Sequence, residues 1–181
     1  KSVTISGGSG NVKATLNANQ LSGIFKITVP NVKFINCNFI NANDKAVYYL
    51  DGNGQISNCN FNNNNASTFC AHIYVTSNCT NFLLENSNFY NGFSYKSSNA
   101  AITANNATVR NCTFINNTVY NNDGFQACGA GLQIGFSENT TNIGTVENCL
   151  FINNSAISNN ETTHAGAFCF RPGIKVLNST F

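Results

Sequence analysis

Apolar residues return along this chain in a fixed figure that is not helical. At six places an asparagine (Asn36, Asn58, Asn86, Asn111, Asn148 and Asn178) follows an apolar residue two positions earlier: Phe34, Ile56, Leu84, Val109, Val146 and Val176. One position after the asparagine stands a small residue: Cys37, Cys59, Ser87, Cys112, Cys149 and Ser179. Three positions after it stands phenylalanine every time: Phe39, Phe61, Phe89, Phe114, Phe151 and Phe181. The positions between are mostly polar, as at Ser57, Glu85, Arg110 and Glu147 before the asparagine and at Asn38, Asn60, Asn88 and Thr113 after the small residue. Period two within each half predicts short strands with one buried face. At the asparagine the phase breaks, because the apolar residue at −2 and the small residue at +1 both face inward. Unless the chain bends there, every later side chain would flip. The asparagine is predicted to be a corner.

A second apolar segment lies between successive corners: "KAVYYL" (45–50), "CAHIYV" (70–75), "NAAITA" (99–104), "GAGLQIG" (129–135) and "AGAFCF" (165–170). Each repeat therefore holds about three short strands separated by turns rich in Asn, Gly and Ser. Corner spacings of 22, 28, 25, 37 and 30 residues, with no helical period, predict an all-β parallel solenoid of about six to seven coils, in one domain over 1–181. "NVKATLNA" and "GIFKITVPNVKF" form its first coil, and the variation in length falls in turns such as 119–128 and 136–144. Equivalent residues then stack about 4.8 Å apart, giving a phenylalanine stack inside and an asparagine ladder at the corners. An antiparallel sandwich with Asn-rich turns is the competing architecture.

Composition narrows the function. Only 9% of the 181 residues are charged and the net charge is +2, which excludes a nucleic-acid footprint. Asparagine supplies 36 residues, but 15 phenylalanines separate the chain from a disordered polar tract. No apolar run approaches the ~20 residues of a membrane helix, and "KSVTISGGSG" is not a signal peptide.

Of eight cysteines, Cys37, Cys59, Cys112 and Cys149 share a column with serines and are expected to be buried thiols, since stacking holds them at about 4.8 Å, beyond disulfide reach. Cys70, Cys79, Cys128 and Cys169 lie outside that column and are the candidates for bridges, in any of three pairings. No CxxC occurs and His72 and His164 are not spaced as partners, so no metal or cofactor is expected.

An active site is not expected either. The acids are Asp44, Asp51, Glu85, Asp123, Glu138, Glu147 and Glu161. Glu85, Arg110 and Glu147 fall in one outward column and read as weak ion pairs, while "DGNG" (51–54) reads as a turn. Nine Asn-x-Ser/Thr sequons occur, at Asn65, Asn78, Asn106, Asn111, Asn116, Asn139, Asn153, Asn160 and Asn178. Asn111 and Asn178 belong to the ladder and should be bare. Asn65, Asn106, Asn139 and Asn160 fall in turns, and Asn116 and Asn153 form a row; these six are the glycosylation candidates.

"FINN" at 114–117 and 151–154 and "FNNN" at 61–64 resemble the FxxN repeat of chlamydial polymorphic outer-membrane proteins, with "GAGL" (129–132), "AGAF" (165–168) and "NAAI" (99–102) as degenerate forms of its GGA partner. "LNANQLSGIFKITVPNVKFINCNFINAN" (16–43) is similar to Asn-rich adhesin-like surface proteins of methanogenic archaea. Nearly the whole chain takes part. The resemblance implies an extracellular right-handed parallel β-helix of the pectate-lyase-like kind, at the cell surface or secreted.

The chain closes in mid-repeat at "IKVLNSTF" and shows no capping helix, which suggests a piece of a longer solenoid or subunits stacked head to tail. The expected role is a structural or adhesive surface protein, a stalk or filament subunit. Its partner is another copy, or a cell-surface or carbohydrate ligand. A carbohydrate-binding or polysaccharide-processing β-helix is the alternative.

Overall fold

In a computed structural model of the chain, residues 2–95, 98–102, 104, 106–121, 128–135, 143–159, 165–170 and 173–181 are described. They form strands, turns and bends, with no helix. The strands assemble into four sheets of seven, six, six and four strands. Every pairing is parallel. In each sheet a strand's neighbours lie one repeat away in sequence. The seven-stranded sheet runs through Val32–Ile35, Gly54–Ser57, Asn81–Glu85, Asn106–Arg110 and Ile143–Glu147 in chain order. The chain therefore advances as a parallel-stranded solenoid. No antiparallel sandwich is present among the described residues.

Register follows the sequence columns. Phe34 pairs with Ile56, Ile56 with Leu84, Leu84 with Val109, and Val109 with Val146. On the next face Phe39, Phe61, Phe89, Phe114 and Phe151 pair in order. Their rings stack at centroid separations of 4.7, 4.9, 4.8 and 4.8 Å, with planes within 15°. That separation is the parallel strand spacing itself, so the backbone sets the stack. Phe181 adds a sixth ring at 5.0 Å from Phe151, although it is largely exposed. Each fully buried phenylalanine contributes about 1.5–3 kcal/mol.

One face of the coil differs from expectation. Besides the strand on either side of the corner and the third apolar segment, there is a fourth sheet: Asn65–Ala66, Phe93–Ser94, Thr118–Asn121 and Ser155–Ser158. Its strands are two to four residues long. They place only one or two side chains inward, among them Ala66, Ser94 and Val119. That is too little alternation for period two to be visible in the sequence.

Candidate functional site

The corners come first because they position everything else. Asn36, Asn58, Asn86, Asn111, Asn148 and Asn178 all have left-handed backbones, with φ between 46° and 57°. This region is costly for most L-residues, and asparagine enters it more readily than any other except glycine. A second left-handed row lies five residues further on, at Asn41, Asn63, Asn91, Asn116 and Asn153. The signal for this row was the asparagine at +5 in each repeat. It is hidden in an Asn-rich chain, where it reads as turn composition.

The first row is linked in part. Asn58 Nδ2 donates to Asn36 Oδ1, Asn111 Nδ2 to Asn86 Oδ1 at 3.1 Å, and Asn148 Nδ2 to Asn111 Oδ1 at 3.3 Å. Among the described residues no side-chain bond joins Asn86 to Asn58 or Asn178 to Asn148, so the row is a linked pair, Asn36–Asn58, and a linked triplet, Asn86–Asn111–Asn148, and not one six-membered ladder.

The small column beside the corner has its own chemistry. Cys37, Cys59, Cys112 and Cys149 each donate Sγ–H to the carbonyl two residues back, at 3.2–3.4 Å. Ser87 and Ser179 do the same with Oγ at 2.7 and 2.9 Å. The serines also accept the N–H of the preceding coil, Cys59 N to Ser87 Oγ at 3.0 Å and Cys149 N to Ser179 Oγ at 3.2 Å. The column is small because it faces inward, and it is Cys or Ser because the corner leaves backbone groups to bond. Burial pushes the Cys59 thiol up to about 11.

The asparagine of FxxN points inward. Asn64 Nδ2 donates to the Phe39 carbonyl at 3.1 Å, Asn117 Nδ2 to the Phe89 carbonyl at 3.1 Å, and Asn154 Nδ2 to the Phe114 carbonyl at 2.9 Å. Their Oδ1 atoms accept the N–H of Ala42, Gly92 and Asn117 respectively, at 2.9, 3.0 and 3.1 Å. Each amide thus stands in for one rung of backbone pairing across the second corner. Where the fold would leave a buried N–H and C=O unpaired, the side chain fills both.

His72 completes this interior set. It is fully buried, with Nδ1 3.1 Å from Asn64 Nδ2 and Nε2 2.9 Å from Asn117 Oδ1. Since Asn64 Nδ2 is a donor and Asn117 Oδ1 an acceptor, the ring is the neutral Nε2–H tautomer. Burial lowers its pKa to about 4, against the hydrogen bond to Asn117, which works the other way. Asn99 lies in the same layer. Its Nδ2 donates to the Thr118 and Ala130 carbonyls at 2.9 and 3.1 Å, while its Oδ1 lacks a hydrogen-bond partner.

The outer faces carry the groups a partner would meet. Asn60 Nδ2 donates to Asn38 Oδ1 and Asn88 Nδ2 to Asn60 Oδ1, both at 2.9 Å, forming an outward amide row that Thr15 and Lys13 extend. Glu85 and Arg110 are register partners, joined by two bonds of 2.6 and 2.9 Å. Desolvation raises the Glu85 carboxyl, but bonds from Arg110, Ser57 and Gln55 outweigh it and hold the group below its usual range. Glu147 pairs with Arg110 in register on the far side. Tyr48 and Tyr74 stack on another face at 5.3 Å, and Lys45 Nζ sits 5.6 Å from the Tyr48 ring centre.

The remaining sequence candidates are dispersed. Asp44 pairs with Lys45 at 3.0 Å, and Asp51 Oδ1 accepts the Gly52 N–H at 2.7 Å in a turn. His72 is sealed in the core, and His164, Asp123, Glu138 and Glu161 lie outside the described residues. Among the described residues no three of His, Cys, Asp or Glu converge.

Asn65 and Asn106 are exposed, but each opens a strand and is not in a turn: their N–H groups bond the Ala42 and Thr80 carbonyls at 2.8 and 3.0 Å. The Asn106 amide also donates to Asn81 at 3.1 Å. Asn116 and Asn153 are exposed at left-handed corners, and Asn139 and Asn160 lie outside the described residues. Cys128 and Cys169 form a disulfide with Cα atoms 6.0 Å apart, whereas Cys70 and Cys79 are buried thiols.

No protein-family model matches the chain, and no curated protein and no solved structure is similar to it.

Proposed function

We propose that this chain is a rigid right-handed parallel β-helix that works as a structural and adhesive element outside the cell, as a stalk or as a subunit stacked head to tail. The observation that carries this reading is the unbroken column register. Three faces continue through six or seven strands and a fourth through four, with inner and outer polar groups bonded along the axis. Such a molecule resists bending and offers repeated copies of one surface, which suits a support or a multivalent contact. Right-handedness rests on the rule that strand–crossover–parallel strand connections take that hand in about 98% of cases. The extracellular assignment draws support from the Cys128–Cys169 disulfide, since such bonds persist in oxidising compartments.

Immunogold electron microscopy of intact source cells, followed by imaging of the released protein, tests the proposal. Seven strands along the axis correspond to roughly 34 Å per subunit. Label on the outer surface, over rods or filaments built on about that unit, is the expected result. Label confined to the cytosol overturns it.

The second reading, a carbohydrate-binding β-helix, is favoured by one observation: the half-buried stacked pair Tyr48–Tyr74 with charged groups beside it.

A further inference from the structure

We propose that the cleft beside Tyr48 binds an anionic saccharide, one carrying carboxylate or sulfate groups. This inference rests on the extracellular reading above, where such polymers are the available partners. The cleft encloses about 280 Å³ and is bounded by Gly23, Phe25, Lys26, Asp44, Lys45 and Tyr48. That volume falls just below the range of ligand clefts, about 300–1,000 Å³, and suits one or two sugar rings.

Its lining is unlike the rest of the molecule. Only 9% of the chain is charged, yet three charged side chains meet here around an aromatic ring. The Tyr48 ring is covered on one side by Tyr74. On the other side its strand partner is Lys26, an exposed residue, and the half-buried ring borders the cleft there. Lys45 is held in place: Nζ bonds Asp44 Oδ1 at 3.0 Å and Thr68 Oγ1 at 3.5 Å, and its side chain is 13% exposed. A fixed ammonium paired with Asp44, an exposed ammonium and an aromatic ring make an orienting site: the ring takes the apolar face of a pyranose, and the cations take its acid group.

Charge on the larger scale agrees. Residues 1–60 contain Lys1, Lys13, Lys26, Lys33 and Lys45 against Asp44 and Asp51, five of the nine basic residues and two of the seven acids. The field at this end draws an anion toward the cleft.

The test is calorimetric titration of the intact chain at low salt with three probes. These are an oligogalacturonate for carboxylate, a heparin-derived oligosaccharide for sulfate, and cellohexaose as the neutral control. Saturable binding of one or both anionic probes, and none of cellohexaose, is expected; which probe binds identifies the acid group. Lys26→Ala and Tyr48→Ala should each weaken binding roughly tenfold, a loss of about 1.4 kcal/mol. Tyr48→Phe should keep most of the affinity, because the ring remains. Lys33→Ala removes the same charge on a different sheet and should leave affinity unchanged.

Absence of binding by both anionic probes overturns the proposal. So does equal loss in Lys26→Ala and Lys33→Ala, which would mean general charge attraction, or tight binding of cellohexaose. If Tyr48→Ala fails to fold, the comparison of Lys26→Ala with Lys33→Ala decides alone. These outcomes are separate from the surface location of the protein: rods on the cell surface with no anionic binding remove only the ligand, and cytosolic label removes the structural reading whatever the titration shows.

Discussion

His72 occupies the space that a side chain at position 92 would need. A Cβ placed on Gly92 would collide with His72 Nε2 and lie 2.9 Å from both Asn117 Oδ1 and Asn99 Cγ. Gly92 stands in the inward column that holds Asn64 and Asn117 in the adjacent coils, so one coil gives up its asparagine and the imidazole fills the gap. Gly92→Ala should therefore destabilise the fold by about 1–3 kcal/mol through overpacking. In a chain of this size that is a fall of roughly 2–4 °C in Tm per kcal/mol, read by thermal unfolding with circular dichroism. An unchanged Tm would mean that the imidazole can move.

The same histidine sets a pH limit. In the folded protein it stays neutral down to about pH 4, whereas in the unfolded chain it takes a proton near its ordinary value of 6.5. Stability is therefore full above pH 6.5 and is lost as pH falls toward 4, by an amount on the order of 3 kcal/mol in total. Urea melts at pH 7.5, 6 and 5 should show the midpoint falling. The carboxylate of Glu85, held below its usual range, adds a further loss only at more acid pH, as it is protonated. A midpoint that holds constant from pH 7.5 to 5 would count against a buried neutral His72.

Ser87 joins two coils with one hydroxyl, accepting from Cys59 N–H and donating to the Glu85 carbonyl. Ser87→Ala leaves both backbone groups without that partner and should cost about 1–3 kcal/mol. Ser87→Cys should recover most of it, because thiols fill the equivalent place at Cys37, Cys59, Cys112 and Cys149. Equilibrium denaturation of the two variants side by side separates hydrogen bonding from volume.

At the corner row, backbone and side chain can be told apart. Asn111 has φ 53° and donates to Asn86. Asn111→Ala suffers both the left-handed penalty, about 1–2 kcal/mol, and the lost amide bond. Asn111→Gly suffers only the second. The alanine variant should be the less stable of the two, and equal stabilities would remove the corner from the account.

Thiol counting tests the disulfide. Unfolded without reductant, the protein should expose six reactive thiols, and eight after reduction, since only Cys128 and Cys169 are joined. Cys169→Ser removes a crosslink spanning 41 residues and should cost about 2–4 kcal/mol. Eight thiols before reduction would show that the bridge does not form.

Much of this fold can be read without coordinates, because each strand's partner is the same motif one coil further on. Phe39 pairs with Phe61 and Phe61 with Phe89 for the reason that made them a column: identical environments in a stacked repeat select identical residues. The left-handed corners, the inward phenylalanines and the small column follow from that logic. Other features depend on which residues approach across a coil, and no local pattern encodes that. The short fourth face buries too few side chains to leave a period. The FxxN asparagines look like turn residues until the carbonyls of Phe39, Phe89 and Phe114 are found beside them. His72 meets Asn117 from 45 positions away, and Cys128 finds Cys169 while Cys70 and Cys79 stay as thiols. Repetition along the axis is a property of the sequence; contact across the coil is a property of how its unequal turns close, and only the tertiary structure decides it.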